Sequence, residues 1–305
     1  MFHDLSALLG PYGVARSTDL VPRVDRHTVG AWVAAGRLLR PHPGIVALPD
    51  RFDEWPTRAL AAVLATDGAL SHSSALTVWR LAPQQDPVHI SVVASRRALR
   101  TRGVTVHRVQ QLTTDQLGSL PVTLLPRTLT DTWGLAHGRG GTSRLVETIR
   151  HAVIEVLRDR RVFPRQLRTE LVRRPGLPGR RELDSLIGLV EAGCQSELEI
   201  WGVEKVLRGP GMPRFAQQFR VDLGGRVAYL DAALPELRVA VELDGAAFHG
   251  SASARERDTR RDVALAALGW VVLRFSYRRL IHDPDGCRRD ILRVCAARRA
   301  LLARR

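Results

Sequence analysis

Two neighbouring segments in the last third of the chain, residues 226–234 and 238–245, constrain the fold more than any other feature. Their sequences, R-V-A-Y-L-D-A-A-L and R-V-A-V-E-L-D-G, are rich in strand-forming residues, and Pro235 and Glu236 between them predict a tight turn. We therefore expect an antiparallel hairpin that carries carboxylates in both strands, although acidic residues are depleted in strands generally.

The acidic side chains of this hairpin are predicted to converge. Side chains alternate between the two faces of a strand, so Glu242 and Asp244 share one face. The tight turn places Asp231 opposite Ala240, the neighbour of Glu242 on that face. Glu199 falls on the apolar side of a preceding helix, where a lone carboxylate is costly unless a cation meets it. Four oxygen donors of this kind favour Mg²⁺ or Mn²⁺ over zinc.

Each of these carboxylates, taken alone, has a simpler explanation in an ion pair with an arginine. The chain carries 46 Lys and Arg against 31 Asp and Glu, a net charge of +15, and Lys205 is its only lysine. Codon usage can explain the preference for arginine over lysine but not the excess of bases over acids. That excess favours a polyanionic partner, and we expect this partner to be DNA.

Length and composition exclude several other classes of protein. A chain of 305 residues predicts two or three domains, each with its own core. No run of 18 apolar residues occurs and no basic segment precedes a signal-like stretch, so we expect no membrane association. The three cysteines form no C-x-x-C pair, which excludes a cysteine-rich zinc site and favours the cytoplasm.

Residues 1–50 have the outline of a winged helix-turn-helix, with three short helices followed by two strands. Asp25 is suited to begin the third helix, and Gly36 to end it. A helical segment used only for packing is the alternative, because this segment carries no excess of positive charge.

The order of these elements, closed by R-x-L-x-R-P-H-P-G-I-V-A-L-P, resembles the N-terminal domain of AbiEi-like type IV antitoxins. The resemblance implies that Arg26, His27 and Thr28 face a DNA major groove. It also implies that Arg37 and Arg40, in the wing, lie beside DNA phosphates.

Residues 56–174 predict a mixed α/β middle domain, similar to the central region that accompanies such antitoxin domains. Two strands at 88–93 and 103–109 are expected to form a hairpin. His72 and Ser73 are adjacent on a predicted helix and so do not face each other, which favours capping or packing over a nucleophile pair. The pattern assigns no chemistry to this domain.

A linker and helix at residues 175–195 lead into the last predicted domain, 196–305. Its carboxylate-bearing strand pair, the following F-H-G-S, the arginine-rich helix and G-W-V-V-L-R-F-S resemble the very-short-patch-repair-like branch of the PD-(D/E)XK nuclease superfamily. The resemblance implies a restriction-endonuclease-like fold in which Glu199, Asp231 and Glu242 bind the metal ion.

The same resemblance implies roles for five further residues. Asp244 stands where the superfamily usually has a lysine. His249 is the candidate general base that replaces this lysine. Arg257, Arg260 and Arg261 are expected to hold DNA phosphates. Alternating charges on a helix more commonly form a solvated face, so that alternative stays open for these arginines.

The sequence therefore predicts a multidomain α+β and α/β chain with an N-terminal winged helix, a mixed middle domain and a restriction-endonuclease-like core. The expected function is that of a Mg²⁺- or Mn²⁺-dependent DNA endonuclease. The alternative is an antitoxin-type transcriptional regulator whose nuclease-like domain is inactive. The low aromatic content, 5%, counts against single-stranded RNA as the partner. The oligomeric state is left open, a homodimer included.

Overall fold

The computed structural model of the protein describes residues 4–95, 102–194, 196–244 and 252–304. At residues 197, 198, 244, 252–255, 257, 277, 278 and 281 the description covers the backbone only. The chain divides into two compact units. Unit 1 comprises Met1–Val153 with Arg165–Arg180, and unit 2 comprises Ile154–Pro164 with Arg181–Arg305.

The first part of unit 1 combines short helices with an antiparallel sheet of strand order β1-β3-β2. Its elements are α1 (Leu5–Leu9), β1 (Val14–Arg16), α2 (Ser17–Leu20), α3 (Arg26–Ala34), β2 (Leu39–His42) and β3 (Ile45–Ala47). The Asp25 carboxylate accepts hydrogen bonds from the backbone amides of His27 and Thr28, which begins α3 as expected. Gly36, at a φ of 69°, follows its end. Strand β1 was not predicted, because three residues are too few to show an alternating pattern.

Helix α4 (Trp55–Thr66) packs between two sheets, which explains its many alanines. Ala61 on one side contacts Val14 and Ile45 of the small sheet. Ala59 and Ala62 on the other side belong to the core of the larger sheet. Small side chains on both sides let the two sheets approach the same helix closely.

The larger sheet of unit 1 has the strand order β6-β5-β4-β8-β7. Its elements are β4 (Ala69–Leu70), α5 (His72–Val78), β5 (Val88–Val93), β6 (Val104–Val109), β7 (Thr114–Leu117), β8 (Leu120–Thr123) and α6 (Leu125–His137). The predicted hairpin of β5 and β6 is wrong, because the two strands pair in parallel with Val88 beside Val104. Sequence alternation defines a strand but does not carry its direction.

Three helices follow in the chain: α7 (Ser143–Arg158), α8 (Pro164–Arg173) and α9 (Arg180–Glu191). Between α8 and α9 the proline- and glycine-rich segment packs on α6, since the Trp133 indole donates a hydrogen bond of 2.7 Å to the carbonyl of Gly179. The segment predicted as a linker is therefore tied to the helix beside it within unit 1.

Unit 2 contains a sheet of strand order β12-β11-β10-β9. Its elements after α9 are α10 (Glu197–Gly202), a π-helical turn (Val203–Leu207), β9 (Ala216–Asp222), β10 (Val227–Leu234), β11 (Val239–Asp244), α11 (Ala252–Ala267), β12 (Val271–Ser276), α12 (Tyr277–His282) and α13 (Pro284–Leu302). Strands β9, β10 and β11 are antiparallel, and β12 lies parallel to β11. Leu265 of α11 packs with Leu230 and Ala240 on the sheet.

The turn between β10 and β11 differs from the expected one. Leu234 pairs with Val239, so the turn is four residues long and ends at Arg238 with a φ of 50°. Continuing this register moves the partner of Asp231 from the predicted Ala240 to Glu242. The correction brings the two acidic side chains closer than expected, because directly opposite residues share a face.

The described chain is thus a mixed α and β protein with separate cores in its two units. Among its described helices, none is long and apolar enough to cross a membrane.

Candidate functional site

Asp231 lies at the centre of the polar group on the sheet of unit 2. Its Oδ2 accepts a hydrogen bond of 2.8 Å from the backbone amide of Leu243, so the carboxylate is held against β11. Its Oδ1 accepts a second bond, 3.3 Å long, from the side-chain amide of Gln218. The side chain is therefore fixed by donors from both neighbouring strands.

Gln218 joins Asp231 to Glu199. Its Nε2 lies 3.3 Å from Asp231 Oδ1 and 3.4 Å from Glu199 Oε2, so one amide group donates to both carboxylates. Gln218 has a φ of 46° in β9, which is a strained conformation for a residue other than glycine. The sequence analysis did not single out this residue, because its place opposite Asp231 depends on how β9 pairs with β10.

Glu199 is positioned by the first turn of α10. The Ser196 hydroxyl accepts a bond of 3.2 Å from the Glu199 backbone amide and donates one of 2.8 Å to Glu199 Oε1. A serine cap at this position was expected, and it turns the glutamate back toward the start of the helix. The structure therefore brings Glu199 and Asp231 together.

Glu242 is bound by an arginine of α11. Arg261 donates bonds of 2.7 and 3.0 Å to the two carboxylate oxygens and a further bond of 2.7 Å to the backbone carbonyl of Tyr229. Glu242 is 8% exposed, so this bidentate pair satisfies a carboxylate that is otherwise buried. Arg261, expected to contact DNA phosphates, lies here against one of the acids expected to bind metal.

Burial and mutual repulsion destabilise the charged forms of the acids. Burial raises the pKa of Asp231, and the nearby Glu199 carboxylate raises it further. Burial also raises the pKa of Glu242, although Arg261 opposes the effect. The pKa of Cys194 rises to about 12, because of burial and then because of Glu199. A cation beside these acids would favour their charged forms.

Of the remaining predicted site residues in unit 2, Arg260 is the one whose side chain is described. Asp244 is described only by its backbone as the last residue of β11, and His249 lies outside the described residues. The side chain of Arg257 is likewise not described, while Arg260 pairs with Glu256 at 3.0 Å on the exposed side of α11.

The carboxylates are also not the tightest set of metal-ligating side chains in the described part of the chain. The group of three whose donor atoms all lie within 4.8 Å of one another is His72, His89 and His107, in unit 1.

A basic cleft adjoins the carboxylates. It has a volume of about 640 Å³, and its lining includes Arg226, Tyr229, Arg260 and Arg261. Tyr229 is 56% exposed, so an aromatic surface is available beside three guanidinium groups. Arg261 forms part of this wall and also binds Glu242, which connects the cleft to the acidic group.

A second cleft lies in the first part of unit 1. It has a volume of about 920 Å³, and its lining includes Arg26, His27 and Arg40, three of the five residues of this segment expected to contact DNA. The other two are engaged elsewhere. Thr28 hydrogen-bonds the carboxylate of Asp25, and the Arg37 guanidinium lies 5.8 Å from the centre of the Trp32 ring.

Comparison with known families bears on the sheet of unit 2. Residues 213–294 match the restriction-endonuclease-like family REase_MTES_1575. The matched segment of this restriction-endonuclease-like domain includes β9, β10, β11 and β12 and therefore contains Gln218, Asp231, Glu242 and Arg261. No curated protein matches the chain.

Restriction-endonuclease-like folds usually use divalent metals, and the side chains present fit such an ion. Asp231, Glu199 and Glu242 supply hard oxygen donors, and Gln218 adds an amide that can turn its own oxygen toward a cation. This set of oxygen donors therefore suits a hard divalent cation.

Proposed function

We propose that the protein is a Mg²⁺- or Mn²⁺-dependent DNA endonuclease, with an attached DNA-binding winged helix similar to that of AbiEi-like antitoxins. The observation that carries the proposal is the group of Glu199, Gln218 and Asp231, with Glu242 on the adjacent strand. Asp231 and Glu242 lie within the segment that matches the restriction-endonuclease-like family. Buried acids with raised pKa values, beside a basic cleft, are typical of a site that binds a cation and a phosphate together.

In this proposal Glu199, Asp231 and Glu242 hold the ion. The bound ion would lower the pKa of an attacking water and neutralise charge on the phosphate. The Leu243 amide keeps the Asp231 carboxylate in place, and Gln218 sets the orientation of Glu199 toward it. Arg261 holds Glu242 and, from the same position, can turn toward a phosphate when the ion takes its place.

The basic cleft supplies the DNA contacts of the proposal. Arg226 and Arg260 are exposed on its wall and can each contact a phosphate, since a guanidinium binds phosphate bidentately. Tyr229 offers a ring for stacking next to them.

The experiment is a cleavage assay with the full chain stripped of metal. Supercoiled, linear and branched DNA are each incubated with Mg²⁺, with Mn²⁺ or with a chelator. We expect metal-dependent cleavage that is lost in Asp231→Asn. The matched control is Asp222→Asn, which removes the same charge from the same sheet, where Asp222 accepts only a bond of 3.0 Å from the amide of Gly224 among its described contacts.

Intact DNA in all three forms with both metals would overturn the endonuclease. Cleavage that survives Asp231→Asn would overturn the assignment of the site, because it would point to a contaminating nuclease or to other residues.

A second candidate is an antitoxin-type transcriptional regulator whose nuclease-like domain is inactive. The bidentate ion pair of Arg261 with Glu242 favours it, because the pair occupies one of the proposed metal ligands. Its DNA contacts would come from the cleft lined by Arg26, His27 and Arg40. A gel-shift assay with the upstream DNA of its own gene, at stated salt, tests it. We expect Arg26→Ala to weaken binding by about 1–3 kcal/mol and to relax its sequence specificity, because this arginine is expected in the major groove. Arg23→Ala, at an exposed arginine outside that cleft, is the control.

A further inference from the structure

Three histidines of unit 1 meet beneath its larger sheet. His89 Nδ1 lies 2.8 Å from His107 Nε2, so one nitrogen donates a hydrogen bond to the other. The His72 ring stacks on His107 with 3.6 Å between ring centres. His72 and His89 are 8% and 9% exposed. No chemistry was expected of them from the sequence, because they are 17 and 18 residues apart along the chain.

Each histidine is held by a different part of the backbone. The parallel register of β5 and β6 places Ser91 beside His107, so His89, two residues before Ser91, shares the face of His107. His72 is the first residue of α5 and has a φ of 51°, a strained conformation for histidine. Its Nδ1 lies 2.9 Å from the Ser71 hydroxyl, which leaves Nε2 for another partner. The sheet and the helix start therefore orient the rings together.

Ser91 adds a second, independent observation. Ser91 is 1% exposed, and its hydroxyl has no hydrogen-bond partner among the described residues. Its side chain lies on the same face of the sheet as His89 and His107, by the register given above. A buried hydroxyl without a partner costs about 1–3 kcal/mol, so a ligand that supplies one would be stabilised there.

The charges around the histidines do not prevent a cation from binding. Arg127 and Arg174 are the nearby cations, and both are ion-paired to the Asp131 carboxylate. Arg174 also pairs with Glu170. Asp131 in turn lies near enough to His107 to oppose the lowering of its pKa.

Burial of the histidines favours the protonation state that a metal requires. Burial lowers the pKa of His72 well below its usual value, and the neighbouring His107 and His89 lower it further. Burial, and then His107, lower the pKa of His89 to about 4. Burial lowers the pKa of His107 as well. Burial thus favours neutral imidazole, which is the form that coordinates metal.

We propose that His72, His89 and His107 form a binding site for a transition-metal ion of the Zn²⁺ class, which ties the start of α5 to strands β5 and β6. The donor atoms already lie within 4.8 Å of one another. A tetrahedral zinc with nitrogen ligands at about 2.0–2.1 Å needs them roughly 3.3 Å apart, which small rotations of the rings achieve. The fourth position is left for an oxygen, and the Ser91 hydroxyl lies on the correct face. The site is distinct from the carboxylates of unit 2 in residues and in donor type.

The experiment measures metal uptake by the chelator-treated full chain, first with Co²⁺ alone and then with Zn²⁺ alone. We expect about one equivalent of Co²⁺ with the absorption spectrum of nitrogen ligation, displaced by Zn²⁺. His89→Asn and His107→Asn are each expected to lower the affinity at least about 100-fold. His151→Asn, at an exposed histidine of α7, is the matched control and is expected to bind normally.

A second variant keeps the test decisive if the histidine substitutions prevent folding. In Asp231→Asn/Glu242→Gln the histidines are unchanged, so the Co²⁺ spectrum and the rise in melting temperature with Zn²⁺ are expected to persist. Loss of the spectrum in this double variant would assign the ion to the carboxylates and overturn the proposal. Unchanged uptake in a folded His107→Asn, or no uptake at micromolar metal in the unaltered chain, would also overturn it.

Discussion

The carboxylate group of unit 2 and the histidine group of unit 1 both place polar side chains where they are largely buried. The two groups satisfy the hydrogen-bonding needs of these side chains in opposite ways. Asp231, Glu199 and Glu242 are acidic side chains that accept hydrogen bonds from the neutral amide of Gln218 or from the positively charged guanidinium of Arg261. The histidines are neutral and hydrogen-bond or stack on one another. A cation must compete with a guanidinium in the first group, whereas in the second it has only to replace a hydrogen bond between neutral rings. The two groups are therefore expected to differ both in the metal they select and in what that metal does.

The largest effects are expected when each group is disabled in turn. Asp231→Asn removes a ligand of the proposed hydrolytic ion, whose stabilisation of the transition state amounts to several kcal/mol. We expect cleavage to fall by about 10³-fold or more, while Co²⁺ uptake by the histidines is unchanged. His107→Asn is expected to weaken Co²⁺ uptake by the histidines and to leave cleavage unchanged. A gel assay of cleavage and a Co²⁺ titration, run side by side, measure the two effects. A single variant that abolishes both readouts while remaining folded would show that the two groups are not separate sites.

A large effect on stability is expected from Arg261→Ala. The substitution leaves Glu242 buried without its bidentate partner, which should lower the free energy of unfolding by about 2–4 kcal/mol without metal. Mg²⁺ is expected to recover part of the loss, because a bound ion neutralises the same carboxylate. Thermal melting with and without Mg²⁺ measures both quantities.

The control for this prediction is Arg260→Ala, one residue earlier on α11. Its pair with Glu256 is exposed, so the change in stability should stay within about 0.5 kcal/mol. If Mg²⁺ raises the melting temperature of Arg261→Ala no more than that of the unaltered protein, Glu242 is not a ligand of the ion.

An intermediate effect is expected from Gln218→Leu, which removes the amide shared by Glu199 and Asp231 but keeps a side chain of similar size. Groups that orient metal ligands typically change metal affinity by about 10- to 100-fold. We expect the Mg²⁺ concentration for half-maximal cleavage to rise by that factor, with a smaller change in the rate at saturating Mg²⁺. Gln217→Leu is the control on the same strand, since Gln217 accepts from the Cys194 thiol instead. Equal effects of the two substitutions would reduce the role of Gln218 to packing.

The smallest effect is expected from Ser91→Ala in the histidine group. The buried hydroxyl has no hydrogen-bond partner in the described part of the chain, so its removal should raise stability by about 1 kcal/mol when a chelator is present. Co²⁺ affinity should fall by roughly fivefold, which corresponds to one hydrogen bond or weak ligand. Melting curves and Co²⁺ titrations of the same preparation check the rise in stability and the fall in affinity. Lower stability in the chelator would mean that the hydroxyl is satisfied in solution.

The two groups also differ in how much of them the sequence reveals. Asp231 and Glu242 stand out because charged residues interrupt two otherwise apolar strands, and the pattern correctly predicts that the strands are adjacent. Glu199 stands out because it falls on the apolar side of a helix. Gln218 has no such signal, since a glutamine in a strand is ordinary and its role depends on the partner strand. The resemblance implied that Arg261 contacts DNA, and the alternating charges on its helix do not tell which face meets the sheet.

The histidines give almost no signal in the sequence. His72, His89 and His107 belong to a helix start and two strands, and none interrupts a pattern strongly enough to be noticed. The parallel pairing of β5 and β6 is what places His89 and His107 on one face, and a hairpin was the expected arrangement. The error in strand direction and the missed cluster therefore have the same origin.

The amino-acid sequence by itself determined the strands that carry the acids, the cap of Asp25 on α3, the basic character of the chain and the oxygen chemistry of unit 2. These features depend on local alternation, on residues within one turn of each other or on composition. The tertiary structure alone decided the four-residue turn that sets Asp231 opposite Glu242, the bond from Arg261 to Glu242 and the meeting of the three histidines. Such contacts join residues far apart in the chain, and their free energy depends on which surfaces pack, which no local pattern contains.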